Sequence, residues 1–291
     1  MSVSPQTDQR VTVQTFRKKK TTGDPLTMLT AYDYPTAQAV DQAGIDSILV
    51  GDSLGMVVLG YENTLPVSMD EMLHHCRAVA RGAKRPLLIG DMPFMSYQAG
   101  VKDAVRNAGR FLKEGGMDAV KLEGGRSRIE AVQAIIKAGI PVLGHLGLTP
   151  QSVHQLGGFV TQGKTASAAA DLMEDAAALQ KAGCFGLVLE SVPDRLAAYV
   201  TGHIDIPTVG IGAGGGCDGQ VLVIHDLLGL FQEFTPRFVK KYASLHENIS
   251  EALQAFKLDV NSGAFPSSEH AFSISDQEWE DFLTGMKDGD E

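Results

Sequence analysis

The strongest constraint on this chain is a regular alternation between short apolar runs and longer helical stretches. Each apolar run is bounded by Gly, Pro or Asp and lacks polar–apolar alternation, as is typical of strands buried on both faces of a parallel sheet. Helical periodicity fills the segments between the runs, which predicts successive strand–helix–strand units. The predicted strands are Thr27–Asp33, Asp46–Asp52, Pro86–Asp91, Ala119–Glu123, Pro141–Gly147, Gly186–Glu190 and Pro207–Gly212.

An eighth strand is expected near Phe234–Lys240, followed by a helix at Leu245–Val260. Eight such units would close an α/β fold, the (βα)8 TIM barrel. The competing topology is an open doubly wound sheet, whose glycine fingerprint is missing after the first strand, which ends in Ala31-Tyr32-Asp33. The other predicted helices are Ser68–Arg81, Val101–Glu114, Ser127–Ala138, Ser167–Ala182 and Pro193–Thr201.

The domain organisation follows from the position of this alternation within the 291 residues. We expect an N-terminal arm at 1–25, a barrel domain at 26–265 and an acidic C-terminal tail at 266–291. Hydrophobic residues make up 44% of the chain and charged residues 21%, so the chain can bury a full core.

Charge and cysteine content limit the partners and the compartment. The formal net charge of −10 argues against a nucleic-acid partner. No apolar run approaches the roughly 20 residues of a membrane span, and the first residues lack the apolar core of a signal peptide. The cysteines form no C-x-x-C pair, so a disulfide framework is not expected and a cytoplasmic location is predicted; they are Cys76, Cys184 and Cys217.

Acidic residues end four of the predicted strands, namely Asp52, Asp91, Glu123 and Glu190. The C-terminal ends of parallel strands share one face of a barrel, so the four carboxylates should surround one rim. Clustered carboxylates repel one another and raise one another's pKa unless a cation neutralises them. Oxygen ligands without histidine favour Mg²⁺, so the sequence predicts a magnesium site at this rim.

Other polar residues are expected at the same rim. Lys121 lies two residues before Glu123, so both side chains should point to the same side of the strand. A lysine there is either a counter-ion for an anionic substrate or a Schiff-base nucleophile, and a structural ion pair is the plainer alternative. Ser53 could bind a substrate oxygen or cap a helix, and His145 ends the fifth strand as a core or rim histidine.

Two long loops, Ser53–Val67 and Leu148–Lys164, follow strands at the expected catalytic face and could cover a site. The glycine-rich segment Gly210–Gly216 follows the seventh strand, where TIM barrels often bind a phosphate or carboxylate. The same segment also satisfies a tight turn, so the motif is weak.

Several longer strings resemble a known family, 3-methyl-2-oxobutanoate hydroxymethyltransferase (ketopantoate hydroxymethyltransferase). The resemblance runs from about Thr27 to Phe272, and the strings occur in the family's order. They are TAYDYPTA, VGDSLGMVVLGYENTLPVS, GDMPFMSY, VKLEGG, PVLGHLGLTPQSV, GLVLESVP, VGIGAGGGCDGQVLVIHDLLGL and EHAF.

The resemblance implies a (βα)8 barrel of the phosphoenolpyruvate/pyruvate-binding type and a magnesium-dependent step of pantothenate biosynthesis, which supplies coenzyme A. The implied reaction adds a hydroxymethyl group from 5,10-methylenetetrahydrofolate to 3-methyl-2-oxobutanoate, giving ketopantoate. Family members are commonly homodecamers built as a pair of pentamers.

The resemblance also assigns roles to residues of this chain. The implied metal ligands are Asp52, Asp91 and Glu123. The implied ketoacid-binding residues are Asp52, Ser53, Asp91 and Lys121, and the implied proton acceptor is Glu190.

Three alternatives remain open at this point. The first is a magnesium-dependent carbon–carbon lyase of the isocitrate lyase/phosphonopyruvate type, which would use the same metal and enolate chemistry without folate. The second is a class I aldolase that forms a Schiff base on Lys121. The third is a barrel without catalytic activity that serves as a binding or assembly module.

Overall fold

Eight parallel strands close into a barrel in the order of the sequence, and the last strand pairs with the first. This computed structural model describes residues 9–287. The predicted (βα)8 barrel is therefore confirmed, whereas residues 1–8 of the predicted arm and 288–291 of the predicted tail lie outside the described residues. The strands are β1 (Leu26–Thr30), β2 (Ser47–Val50), β3 (Leu87–Asp91), β4 (Ala119–Glu123), β5 (Val142–Gly147), β6 (Gly186–Glu190), β7 (Thr208–Ile211) and β8 (Gly219–Leu222).

The eighth strand was predicted wrongly near Phe234–Lys240, because β8 already occupies that place in the barrel. The segment 212–218 crosses from β7 to β8 without a helix, a connection that helical periodicity does not reveal. Two of its glycines, Gly212 and Gly214, have positive φ angles of 63° and 74°, which permit the sharp change of direction.

Helices separate most of the strands, and their starts carry recognisable caps. Ser68 and Glu71 form a capping box at the start of the helix that follows β2, and Asp33 caps the helix that follows β1. The helices up to residue 242 are α1 (Val13–Thr22), α2 (Tyr34–Gln42), α3 (Leu54–Val57), α4 (Met69–Gly82), α5 (Val101–Lys113), α6 (Ile129–Lys137), α7 (Val153–Leu156), α8 (Ala166–Ala182), α9 (Asp194–His203) and α10 (Ile224–Leu227).

The barrel interior is apolar at the N-terminal ends of the strands. Inward-facing side chains such as Met28, Leu143 and Val209 form one buried cluster there. Phe16 of α1 is fully buried and packs edge-to-face on Phe185, with ring centroids 5.6 Å apart. Helix α1 therefore closes this end of the barrel and leaves the C-terminal ends of the strands for polar side chains.

The chain divides into two compact units at residues 242 and 243, and the second contains α11 (Leu245–Ser262), a 3₁₀ turn at Ser268–His270 and α12 (Asp276–Lys287). Helix α11 was predicted as part of the barrel domain, but it lies in the second unit. Within this unit the rings of Phe256 and Phe265 lie 5.7 Å apart. In residues 9–287 no helix has the length and apolarity to span a bilayer.

Close packing around Gly90 of β3 gives a test of the fold. A Cβ atom added at Gly90 would lie 2.3 Å from the ring of Phe111, which is fully buried. We expect Gly90→Ala to lower the free energy of unfolding by about 1–3 kcal/mol, as overpacked cores do. Equilibrium urea denaturation measures this change.

The matched control is Gly109→Ala in α5, where an added Cβ meets no atom within 4 Å. We expect this variant to be more stable by about 0.5–1 kcal/mol because alanine favours the helix. Equal stability of Gly90→Ala and the unmodified protein would contradict the packing described.

Candidate active site

The C-terminal ends of β2, β3 and β4 bring polar side chains together inside the barrel mouth. On β4 the inward-facing positions are Ala119, Lys121 and Glu123, so an apolar layer is followed by two charged residues. Asp91 at the end of β3 and Asp52 just beyond β2 are also buried. The predicted gathering of acids at one rim is thus observed for these three carboxylates.

Lys121 and Asp91 form the central ion pair of the site. The Lys121 Nζ atom lies 2.7 Å from Oδ1 and 2.6 Å from Oδ2 of Asp91, and 4.0 Å from Oε1 of Glu123. Burial lowers the pKa of Lys121, but the neighbouring carboxylates raise it more, so the net shift is upward. Lys121 is therefore held as an ammonium ion, whereas a Schiff-base lysine requires a lowered pKa.

Asp52 lies beside Asp91, and repulsion between the two carboxylates changes the pKa of Asp52. Its Oδ2 atom accepts a hydrogen bond of 2.8 Å from Nε2 of Gln151, and its backbone N–H donates to Oδ2 of Asp91 at 3.2 Å. Burial and the Asp91 charge raise the pKa of Asp52 well above its usual range, while the Lys121 ammonium partly offsets this. A cation near these oxygens would favour the ionised form of Asp52.

The two carboxylate oxygens of Glu123 differ in their contacts: one accepts a hydrogen bond, and the other has only electrostatic contacts, with His145 and Lys121. Oε2 accepts a hydrogen bond from the backbone N–H of Gln151 at 3.0 Å. Oε1 is buried and has no hydrogen-bond partner within residues 9–287. The Tyr97 hydroxyl accepts from the Glu123 backbone N–H at 3.1 Å and so fixes the end of β4.

His145 lies between two carboxylates at the end of β5. Its Nδ1 atom is 3.3 Å from Oε1 of Glu123, and its Nε2 atom is 3.2 Å from Oε2 of Glu190. The angles at the ring nitrogens do not suit hydrogen bonds, so both contacts are electrostatic. Burial and the Lys121 charge lower the pKa of His145, but the two carboxylates raise it more, to about 9.

Glu190 is the most accessible acid of the group. Its side chain is 19% exposed, whereas that of Glu123 is 2% exposed. It ends β6 on the far side of the His145 ring from Glu123, so the imidazole connects the accessible carboxylate to the buried set.

Ser53 is linked to the wall of the site by Tyr32. The hydroxyls of Ser53 and Tyr32 lie 2.9 Å apart, and the carbonyl oxygen of Tyr32 is 2.7 Å from Nδ1 of His75. Tyr32 is buried, so this arrangement fixes Ser53 next to Asp52.

The glycine-rich segment does not join this group. Gly212 and Gly214 line a separate cavity of about 540 Å³ together with Pro25 and Asp218, at the opposite ends of β1 and β8. Among the described residues, the lining contains neither lysine nor arginine, and the nearby Lys20 is already paired with the Asp218 carboxylate at 3.0 Å, so no free basic side chain lines the cavity to bind an anion.

The buried side chains fit a divalent cation, although they are not arranged as a finished metal site. Within the part of the chain that the structure describes, no three His, Cys, Asp or Glu side chains already form a metal-binding group. Three buried carboxylates meet there, and burial together with the Asp91 charge raises the pKa of Asp52 even though the Lys121 ammonium and the His145 ring lie among them. Both features suit a cation with oxygen ligands.

Sequence reasoning missed Gln151, Tyr97 and Tyr32, and it gave His145 no specific role. Gln151 and Tyr97 come from loops after β5 and β3 and reach into the site from outside the strand pattern. Both lie within strings that carried the family resemblance, which was the available signal.

Comparison with known proteins places this chain in a family. A family model described as ketopantoate hydroxymethyltransferase matches residues 10–268. A 3-methyl-2-oxobutanoate hydroxymethyltransferase from Syntrophobacter fumaroxidans is 61% identical over 263 residues, covering 90% of this chain and 93% of the relative. One from Syntrophomonas wolfei is 58% identical over 268 residues, covering 92% of this chain and 97% of the relative.

Solved structures of low sequence identity share the barrel. Phosphonopyruvate hydrolase in complex with oxalate and Mg²⁺ aligns with a TM-score of 0.59 at 13% identity, covering 89% of this chain and 92% of that chain. The 2,3-dimethylmalate lyase of the PEP mutase/isocitrate lyase superfamily aligns with a TM-score of 0.56 at 15% identity, covering 95% of both chains. These likenesses concern the fold, whereas the family match extends through the sequence. The chain belongs to the ketopantoate hydroxymethyltransferase family of enzymes.

Proposed function

We propose that this enzyme transfers a hydroxymethyl group from 5,10-methylenetetrahydrofolate to 3-methyl-2-oxobutanoate in a Mg²⁺-dependent reaction, forming ketopantoate for pantothenate biosynthesis. The names of its relatives support the ketoacid as substrate. The observation that carries the chemistry is the buried Lys121–Asp91 pair beside two further carboxylates, with Glu190 accessible next to them. This arrangement suits binding of an anionic ketoacid and removal of a proton from it.

Asp52, Asp91 and Glu123 would hold the cation. When bound, Mg²⁺ supplies Lewis-acid polarisation of the ketone, which acidifies the neighbouring C3–H bond. Two features support a cation at this position: the raised pKa of Asp52, and the Oε1 atom of Glu123, which accepts no hydrogen bond within residues 9–287.

Ser53 and Lys121 would bind and orient the ketoacid. The Ser53 hydroxyl can donate a hydrogen bond to a ketoacid oxygen while it accepts one from the Tyr32 hydroxyl. The Lys121 ammonium remains protonated and offsets the negative charge that develops on the ketoacid oxygens as the proton leaves.

Glu190 would remove the C3 proton as general base. The His145 ring, whose Nε2 atom lies 3.2 Å from Oε2 of Glu190, contacts the carboxylate on one side. One water hydrolyses the donor: both C–N bonds to its methylene carbon break, the two protons of the water end on the folate nitrogens, and formaldehyde is released. The C3 carbon then bonds to the formaldehyde carbon as the C=O π bond opens, and the resulting alkoxide takes the proton held by Glu190.

The proposal extends to the assembly and the location of the enzyme. We propose a homodecamer of two pentamers, as the resemblance implies. Exposed apolar side chains on α11 support self-association, since Leu253, Phe256 and Leu258 are each more than half exposed. The three cysteines are free, which supports a cytoplasmic location.

Proton NMR in D₂O tests the proposed function directly. With Mg²⁺ present, we expect the C3–H signal of 3-methyl-2-oxobutanoate to disappear, because the acidified proton exchanges with solvent. Addition of 5,10-methylenetetrahydrofolate should then give ketopantoate. Exchange without product would favour the lyase alternative, and no exchange with or without Mg²⁺ would contradict the proposed site.

The role of Glu190 can be tested by Glu190→Gln. We expect C3–H exchange to fall by about 10²-fold or more, the usual contribution of a general base, while Mg²⁺ and ketoacid binding stay within a few-fold. Exchange is followed by NMR and binding by isothermal titration calorimetry. Glu114→Gln, on a surface glutamate paired with Arg110, is the control and should exchange normally. Full exchange in Glu190→Gln would refute the assignment of the base.

The pKa of His145 predicts how the stability of the metal-free protein depends on pH. A folded-state pKa near 9 exceeds the usual 6.5, so the protonated ring stabilises the fold below pH 6.5, and this contribution is lost as pH rises toward 9. We expect the unmodified protein in EDTA to lose up to about 3 kcal/mol more over this range than His145→Asn. Urea denaturation at several pH values measures this. Parallel pH profiles of the two proteins would be inconsistent with the raised pKa.

A further inference from the structure

Gln151 is a buried loop residue that has no role among those implied by the family resemblance. It lies in a 3₁₀ turn, Pro150–Ser152, within the long loop that follows β5. Its side chain is directed inward and is buried among the C-terminal ends of β2, β3 and β4. A buried amide has two donor and two acceptor sites, and each of these needs a hydrogen-bond partner.

The Gln151 side chain satisfies all of its hydrogen-bonding capacity. Nε2 donates to Oδ2 of Asp52 at 2.8 Å and to the carbonyl oxygen of Met92 at 2.9 Å. Oε1 accepts from the Tyr97 hydroxyl at 2.7 Å and from Nε2 of Gln98 at 3.1 Å. The four contacts come from separate parts of the fold and enclose the amide completely.

These partners also determine which way the amide points. The Met92 carbonyl can only accept a hydrogen bond, so the Nε2 atom must lie on that side. A flipped amide would bring its oxygen against the Met92 carbonyl and the Asp52 carboxylate. The donor directed at Asp52 is therefore fixed by the network.

The backbone of Gln151 contacts a second acid. Its N–H donates to Oε2 of Glu123 at 3.0 Å. Gln151 thus holds one oxygen of Asp52 through its side chain and one oxygen of Glu123 through its backbone. The other oxygen of Glu123 accepts no hydrogen bond from residues 9–287 and lies 3.3 Å from Nδ1 of His145.

We propose that Gln151 is a positioning residue that fixes the Asp52 carboxylate for the divalent cation and attaches the loop after β5 to the metal site. This inference rests on the proposed function for the cation but not for the folate donor. Hydrogen bonds that orient ligand side chains typically change metal affinity by 10- to 100-fold when they are removed.

The test compares Gln151→Met with Gln98→Met in the full chain. Methionine nearly preserves the length of glutamine and removes its donors, while the backbone N–H that contacts Glu123 remains. Gln98 contacts the same Gln151 amide but, within the described part of the chain, makes no hydrogen bond to Asp52, Asp91 or Glu123. It is therefore the matched control. Mg²⁺ alone is titrated by calorimetry, and circular dichroism verifies the fold.

For Gln151→Met we expect Mg²⁺ affinity to fall by about 10- to 100-fold, with C3–H exchange recovering at high Mg²⁺ concentration. Gln98→Met should stay within about two-fold of the unmodified protein. Unchanged affinity in Gln151→Met, or an equal loss in Gln98→Met, would overturn the proposal. Equal losses would mean that the loop is disturbed as a whole.

Crystal structures of the metal-free proteins separate this inference from the proposed function. In Gln151→Met we expect Asp52 to occupy more than one rotamer, whereas Glu123 should keep its orientation through the backbone contact. A single unchanged Asp52 rotamer would overturn the proposal even if Mg²⁺ binds. If the unmodified protein does not bind Mg²⁺, the proposed metal chemistry fails, and the rotamers of Asp52 still decide whether Gln151 positions it.

Discussion

The ammonium group of Lys121, held between the two oxygens of Asp91, is the interaction on which the site depends. Three carboxylates are buried in the barrel mouth, where water cannot separate their charges. Without an internal cation, ionising all three would be strongly unfavourable. Neighbouring polar groups also stabilise these carboxylates. Gln151 donates hydrogen bonds to Asp52 and Glu123, and the His145 ring lies 3.3 Å from Glu123.

The charged side chains form a layer at the C-terminal ends of the strands, next to an apolar layer inside the barrel. Inward-facing positions run from apolar to charged along β3 and β4, and the ring of Phe16 fills the apolar end against Phe185. The polar layer can be solvated only from the C-terminal side. Glu190 is the most accessible acid there, so the proposed substrate could approach its carboxylate without opening the core.

Much of this arrangement could be predicted from the sequence, because parallel strands share one face at their ends. This rule predicts that Asp52, Asp91 and Glu123 lie together and, with the two-residue period of a strand, that Lys121 and Glu123 point to the same side of β4. It could not find Gln151 or Tyr97, whose loops follow no period and whose contacts depend on the three-dimensional path of the chain. It also misplaced the eighth strand, since the crossing from β7 to β8 contains no helix that periodicity could detect.

The Lys121–Asp91 pair also bears on how the proposed cation would enter the site. Small metal-binding domains often cannot fold until the ion arrives, because nothing else offsets their ligands. Here the Lys121 ammonium already lies among the acids, so the barrel can fold before the proposed ion binds. Under the proposed function, binding and loss of the ion would be reversible events on an already folded barrel, and the supply of magnesium would set the active fraction without affecting whether the chain folds.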